Sequence, residues 1–166
     1  MSDSSRNLQD AFAAECQAFA KYRAFARRAQ EEGHPQVARL FRAVARSEAL
    51  HAANLLAALQ EVGPTKDNLA AALEGESAEV SGLYPSFVDQ ARKEGHQAAA
   101  QGFSWALGAE MVHLDLFERA LAALDEGREP ALGALCVCRR CGHTLEGEPP
   151  AQCPTCGTEH SFQEVS

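Results

Sequence analysis

The sequence predicts an all-α four-helix bundle, made from a duplicated helical hairpin and followed by a small cysteine-rich β module. Three observations carry this prediction. Residues 5–127 are dominated by Ala, Leu, Glu, Gln and Arg, all good helix formers, and the chain contains no Ile. Apolar residues recur every three or four positions, as in Phe12, Phe19, Tyr22 and Phe25. From Pro130 onward the composition changes to Cys, Gly, Pro and Thr, with Gly127, Pro130 and Gly133 marking a linker. The expected division is a helical domain over residues 1–130 and a cysteine module over residues 131–166.

The elements follow in order. The first helix is expected from about Asn7 to Glu32, stopped by Gly33. The second runs from about Pro35 to Val62 and is stopped by Gly63-Pro64. The third begins before Glu76 and ends at Gly95, with Pro85 kinking it or starting a new segment. The fourth runs from about Gln97 to Glu126. A shift of 62 residues lays Tyr22 on Tyr84, Phe25 on Phe87, Glu32-Gly33-His34 on Glu94-Gly95-His96, and Phe41 on Phe103. Two similar hairpins packed together make a four-helix bundle with pseudo-twofold symmetry. The register slips once: Glu15 to Tyr22 is seven residues, Glu76 to Tyr84 eight. One extra residue inside a helix predicts a π-bulge just before Tyr84. Trp105 and the Phe residues are expected in the core, and His34 and His96 at exposed turns.

The net charge of −8 disfavours nucleic acid as a partner, because phosphate binding rests on Lys and Arg. No apolar run approaches the roughly 20 residues a membrane helix needs. The stretch MSDSSRNLQDAF has no basic segment followed by an apolar one, so a cytoplasmic location is expected.

The repeat contains Glu48-x-x-His51 and Glu110-x-x-His113. Residues three apart share a helix face, about 4.5 Å apart along the axis. Each hairpin also offers a Glu on its first helix, Glu15 and Glu76. One Glu from each of two helices, with Glu-x-x-His from each of the other two, is the ligand set of di-iron and di-manganese carboxylate bundles. Hard carboxylates can bridge two ions, and imidazole suits iron better than calcium or magnesium. Glu79 adds a carboxylate one turn after Glu76. Tyr22 and Tyr84 lie two turns after the first Glu of each hairpin, where they can hydrogen-bond metal-bound carboxylates.

Cys138-x-x-Cys141 and Cys153-x-x-Cys156 are separated by 11 residues, a strong four-thiolate metal signature. A module of about 35 residues with Phe162 as its one aromatic needs such a staple. Zinc would make it structural and iron a one-electron carrier. Cys16 is expected to be a small buried residue, and Cys136 a spare thiol.

Together these features resemble rubrerythrin, a family that joins a ferritin-like di-iron bundle to a rubredoxin-like Fe(SCys)4 module. The resemblance rests on the run AFAAECQAFAKYRAFA, the pairs SEALH and AEMVH, the stretch EGES-AEV-SGLYPSF, and the CRRCG…CPTCG end. It implies that Glu15, Glu48, His51, Glu76, Glu79, Glu110 and His113 serve two non-haem irons, with Glu48 and Glu110 bridging. It implies that one iron exchanges His51-type for Glu79-type ligation with redox state. Tyr22 and Tyr84 match the family's tyrosines beside the irons. Cys138, Cys141, Cys153 and Cys156 match its rubredoxin ligands for one iron, with zinc the other metal that fits. One departure is His143, where an aromatic commonly follows the knuckle. The implied activity is reduction of hydrogen peroxide to water, with electrons from an external donor, a rubredoxin or an NAD(P)H-dependent reductase, and a homodimeric assembly. The competing readings are a ferroxidase of the ferritin class and a helical scaffold with a structural zinc ribbon.

Overall fold

The computed structural model describes residues 3–165. They fall into two compact units, the first ending at Gly63 and the second beginning at Pro64. The predicted helical architecture and the C-terminal β module are both present. Among the described residues, no helix is long and apolar enough to cross a membrane.

The first unit is a helical hairpin. Helix α1 spans Asp3–Glu31 and α2 spans Pro35–Ala58. The two pack along their length. Their buried residues are all alanines: Ala26 and Ala29 on α1, and Ala38, Ala45 and Ala52 on α2. Small side chains let two helix surfaces approach closely. The turn is closed by Gly33, whose φ of 81° is left-handed. His34 N–H donates to the Ala29 carbonyl and Gly33 N–H to that of Gln30, which satisfies carbonyls that the helix end would otherwise orphan.

Helix α2 stops at Ala58, four residues before the expected Val62. The sequence reading missed Gln60, which takes a left-handed φ of 59° without being glycine. Gln60 N–H then reaches the Ala57 carbonyl and Glu61 N–H that of Leu56, the same closure as at Gly33.

The second unit holds the remaining elements. Helix α3 (Thr65–Ala78) passes through a π-helical turn (Glu79–Leu83) into α4 (Tyr84–Lys93). The bulge thus lies where the register slip placed it. Pro85 sits in the first turn of α4, where a missing N–H disturbs least. Gly95, at φ 71°, repeats the closure of Gly33, with His96 N–H on the Ala91 carbonyl. Helix α5 spans Gln97–Asp125. His96, expected only to be exposed, also caps α5: its Nδ1 accepts from Ala99 N–H at 3.3 Å.

The cysteine module is a three-stranded antiparallel sheet ordered β2-β1-β3, with β1 Leu135–Cys138, β2 Thr144–Glu146 and β3 Phe162–Val165. It docks on α5. Thr155 packs so closely over Gly108 that a Cβ there would lie 3.0 Å from its methyl. The Arg140 guanidinium lies 5.2 Å from the Trp105 ring centre. Arg119 pairs with Glu146, which also accepts from Gly133 N–H in the linker.

Two aromatic expectations need correction. Phe25 and Phe87 are 47% and 40% exposed rather than in the core. Along the helices the deepest burial falls on alanines, and the rings stack outside that seam. Phe25 lies 5.5 Å from Phe41, and Phe87 lies 5.3 Å from Phe103, so the two clusters repeat the duplication.

The two kinds of glycine should respond oppositely to alanine. Gly33→Ala forces a Cβ into a left-handed residue and should cost about 1 kcal/mol. Gly102→Ala, inside α5 with open space around it, should stabilise by about 0.5–1 kcal/mol. Urea denaturation of both variants checks this; the opposite order would contradict the turn geometry.

Candidate metal centres

The structure gathers the predicted acids and histidines into two triads. In the first unit, Glu15 on α1 meets Glu48 and His51 on α2. His51 Nδ1 lies 2.8 Å from Glu48 Oε2 and 3.7 Å from Glu15 Oε1. In the second unit, Glu76 on α3 meets Glu110 and His113 on α5. His113 Nδ1 lies 2.6 Å from Glu110 Oε2 and 3.8 Å from Glu76 Oε2. The duplicated sequence thus folds into duplicated geometry, and the three-residue spacing places Nδ1, not Nε2, beside the acid. Both rings present the same atom to the same kind of partner.

The donor set suits a cation. Glu76 Oε2 is buried and accepts no hydrogen bond. Burial first, then the adjacent Glu110 carboxylate and the Glu79 charge, push the Glu76 carboxyl up to about 7. An acid held this unfavourably is relieved by a proton or a metal ion.

Glu79 is not brought into either triad. It begins the π-helical turn and stands close enough to act through its charge on Glu76 and Tyr84. The Tyr84 phenol is raised by burial and then by Glu79, Glu110 and Glu76. Tyr22 joins a ring cluster, 6.0 Å from Phe41.

The four module cysteines converge as the sequence predicted. Cys138 Sγ lies 3.7 Å from Cys156 Sγ, and Cys141 Sγ lies 3.6 Å from Cys153 Sγ. A disulfide would need about 2.05 Å. A tetrahedron of sulfurs about 2.3 Å from a central ion has edges of about 3.8 Å, so the spacing fits a metal. The two knuckles match: Gly142 N–H donates to the Cys138 carbonyl and Gly157 N–H to that of Cys153. Burial alone would raise the Cys138 thiol, but the Ser161 hydroxyl and the amides of Cys141 and Arg140 bring it down to about 6. Burial pushes Cys141 and Cys153 up. Four thiolates this close need a cation among them. Cys136 is buried on β1 outside the cluster, and Cys16 is half-buried.

Three contacts escaped the sequence reading. Ser161 Oγ lies 3.1 Å from Cys138 Sγ, and Thr158 Oγ1 lies 3.3 Å from Cys156 Sγ. Thr144 Oγ1 lies 2.9 Å from His113 Nε2, joining the cysteine module to the second triad. Hydroxyl residues clustered after the knuckles were the one available signal. His143, noted as a departure, is buried, stacks edge-on against Phe162 at 6.4 Å, and meets Thr155 Oγ1 through Nδ1 at 2.9 Å.

Known proteins resemble the chain along nearly all of it. The rubrerythrin family model matches residues 6–121. Rubrerythrin-2 of Clostridium acetobutylicum is 32% identical, over 92% of this chain and 90% of its own length. Nigerythrin of Nitratidesulfovibrio vulgaris is 37% identical, over 90% of this chain and 80% of its own. Among solved structures, nigerythrin in its partially reduced state aligns at TM-score 0.56 and 32% identity, covering 99% of this chain and 88% of that one. Nigerythrin in its fully reduced, all-ferrous state is similar.

The raised Glu76 carboxyl sets a pH dependence. Its folded pKa, about 7, exceeds the ordinary 4.5, so the fold holds an extra proton between these values. Metal-free protein should therefore lose stability as pH rises through this window and level off above it. Glu76→Gln should lack that loss. Urea denaturation at pH 5 and pH 8 measures it; equal losses in both proteins would show that Glu76 is not the group.

Proposed function

The chain belongs to the rubrerythrin family, and from that premise and the triads we propose that it is a non-haem di-iron peroxidase that reduces hydrogen peroxide to water. Its cofactor complement is the family's: a di-iron site and one iron or zinc in the four-cysteine cluster. The observation that carries the proposal is the paired Glu–Glu–His geometry, together with a four-thiolate cluster docked on the helix that bears Glu110 and His113.

In this reading Glu15, Glu48 and His51, with Glu76, Glu110 and His113, would hold the two irons, and Glu48 and Glu110, on the same helices as the histidines, would be the acids shared between them. Iron bound there supplies two electrons and Lewis acidity to the O–O bond. The protein's part is to hold that charge and to move protons, because reduction of one peroxide to two waters consumes two protons and two electrons. Glu79 stands outside the triads yet within electrostatic reach of Glu76 and Tyr84, which suits its carboxylate to carry a proton inward. The Tyr84 hydroxyl, raised above its ordinary value by burial and the nearby acids, stays protonated and can donate to a carboxylate oxygen.

Cys138, Cys141, Cys153 and Cys156 would hold an iron that supplies one-electron transfer from an external donor, a rubredoxin or an NAD(P)H-dependent reductase. The assembly is a homodimer, expected at about twice 17.8 kDa in light scattering. A ferroxidase would leave both Glu79 and the cysteine cluster without a task.

Anaerobic loading should give about three irons per chain, from two in the carboxylate centre and one among the thiolates. After reduction, about one equivalent of hydrogen peroxide should reoxidise the carboxylate centre, because two ferrous ions deliver two electrons. Cys153→Ser should keep that single reoxidation but lose turnover with an external donor by at least about tenfold. A loaded, reduced protein inert to peroxide would end the peroxidase reading.

A further inference from the structure

The two triads are alike in their acids and differ behind their histidines. Among the described residues His51 Nε2 meets Ser47 Oγ of its own helix, at 3.4 Å, and the His51 side chain is 52% exposed. His113 Nε2 meets Thr144 Oγ1 at 2.9 Å, and the His113 side chain is 28% exposed. Thr144 comes from β2, two residues beyond Gly142 of the first cysteine knuckle.

We propose that Thr144 is a positioning residue for His113, contributed by the cysteine module, which fixes the imidazole tautomer and so prepares Nδ1 to bind metal. The inference rests on the reading that Glu76, Glu110 and His113 hold a metal ion.

A hydroxyl has one proton to give. The Gly142 carbonyl, 3.3 Å from Thr144 Oγ1, can only accept it. In the proposed arrangement the Thr144 hydroxyl donates there, its oxygen accepts, and His113 supplies the proton from Nε2. A neutral imidazole with its proton on Nε2 carries a bare lone pair on Nδ1. That atom is the one 2.6 Å from Glu110 Oε2. Two lone-pair atoms at this separation repel unless a proton or a cation joins them. With the Nε2 tautomer fixed, the metal ion is the partner that suits both. The same contact stops the ring from rotating, which lowers the entropy lost when metal binds.

Thr144 is held by more than its own hydroxyl. Its strand is tied to α5 through Arg119 and Glu146, and to the linker through Gly133 N–H. The backbone of the knuckle carries Gly142, the group that orients the hydroxyl. Order in the cysteine cluster therefore reaches His113 through two hydrogen bonds.

The test uses the full chain with zinc preloaded in the cysteine cluster, so that added cobalt(II) reports on the carboxylate–histidine centre alone. Thr144→Val keeps the side-chain shape and removes the hydroxyl. It should weaken cobalt(II) binding about tenfold, the range for losing an outer partner of a ligating histidine. It should also abolish the Nε2–H signal of His113 in nitrogen-15 NMR. Thr144→Ser should restore both, to within about twofold in affinity. Ser47→Ala, at the equivalent place behind His51, should change little. Binding and tautomer both indifferent to Thr144→Val would overturn the proposal. Equal loss in Thr144→Ser would also overturn it, since packing rather than the hydroxyl would then be responsible. Peroxide takes no part, so failure of the peroxidase reading leaves this result standing. A wild-type centre that binds no cobalt(II) would remove the ligand reading and this proposal together.

Discussion

Acids crowded together on facing helices, one of them buried with no donor, are the constraint on which the rest depends. Each triad brings two carboxylates and an imidazole into one small volume between helices whose buried positions are mostly alanine. In the second triad the conflict is plain, because Glu76 Oε2 is buried without a donor beside Glu110. A sequence selected only for a stable bundle would place leucine there. These helices instead hold a charge arrangement that becomes favourable when cations arrive. Binding free energy and folding free energy are then linked, as they are for the four thiols of the C-terminal module.

Duplication supplied this arrangement twice, and the π-helical turn kept it usable. One residue inserted into an α-helix rotates everything after it by about 100°. Without compensation, the insertion between Glu76 and Tyr84 would turn Tyr84, Phe87 and Ala91 away from α5. The wider turn at Glu79–Leu83 absorbs the extra residue. As a result Phe87 still meets Phe103, as Phe25 meets Phe41, and Ala91 stays buried. The extra residue is also what separates Glu79 from the repeat, giving the second hairpin an acid that the first lacks at that place.

Most of this was legible in the sequence because it follows from short-range periodicity. Glu-x-x-His on a helix and Cys-x-x-Cys on a knuckle are local patterns, and each appears twice. Even the bulge could be read, from a seven-residue interval set against an eight-residue one. What could not be read depends on contacts between distant segments or on unusual backbone. Gln60 ended α2 early because a non-glycine residue took a left-handed conformation, which the sequence does not mark. Phe25 and Phe87 were assigned to the core because they lie on the apolar stripe; along the helices burial instead went mainly to the alanines, whose size permits close helix approach. Thr144 is 31 residues from His113, and nothing in either segment announces the pairing. The docking of the module on α5 decides it, through Thr155 over Gly108 and Arg140 over Trp105.

That docking also makes the two triads unequal. His51 is half exposed, with a long contact to Ser47 behind its ring. His113 has Glu110 at Nδ1 and Thr144 at Nε2. A ring restrained from behind loses less freedom when its front nitrogen binds an ion than a ring that turns freely. The duplicated hairpins thus provide like triads, and the appended module restrains the histidine of one of them.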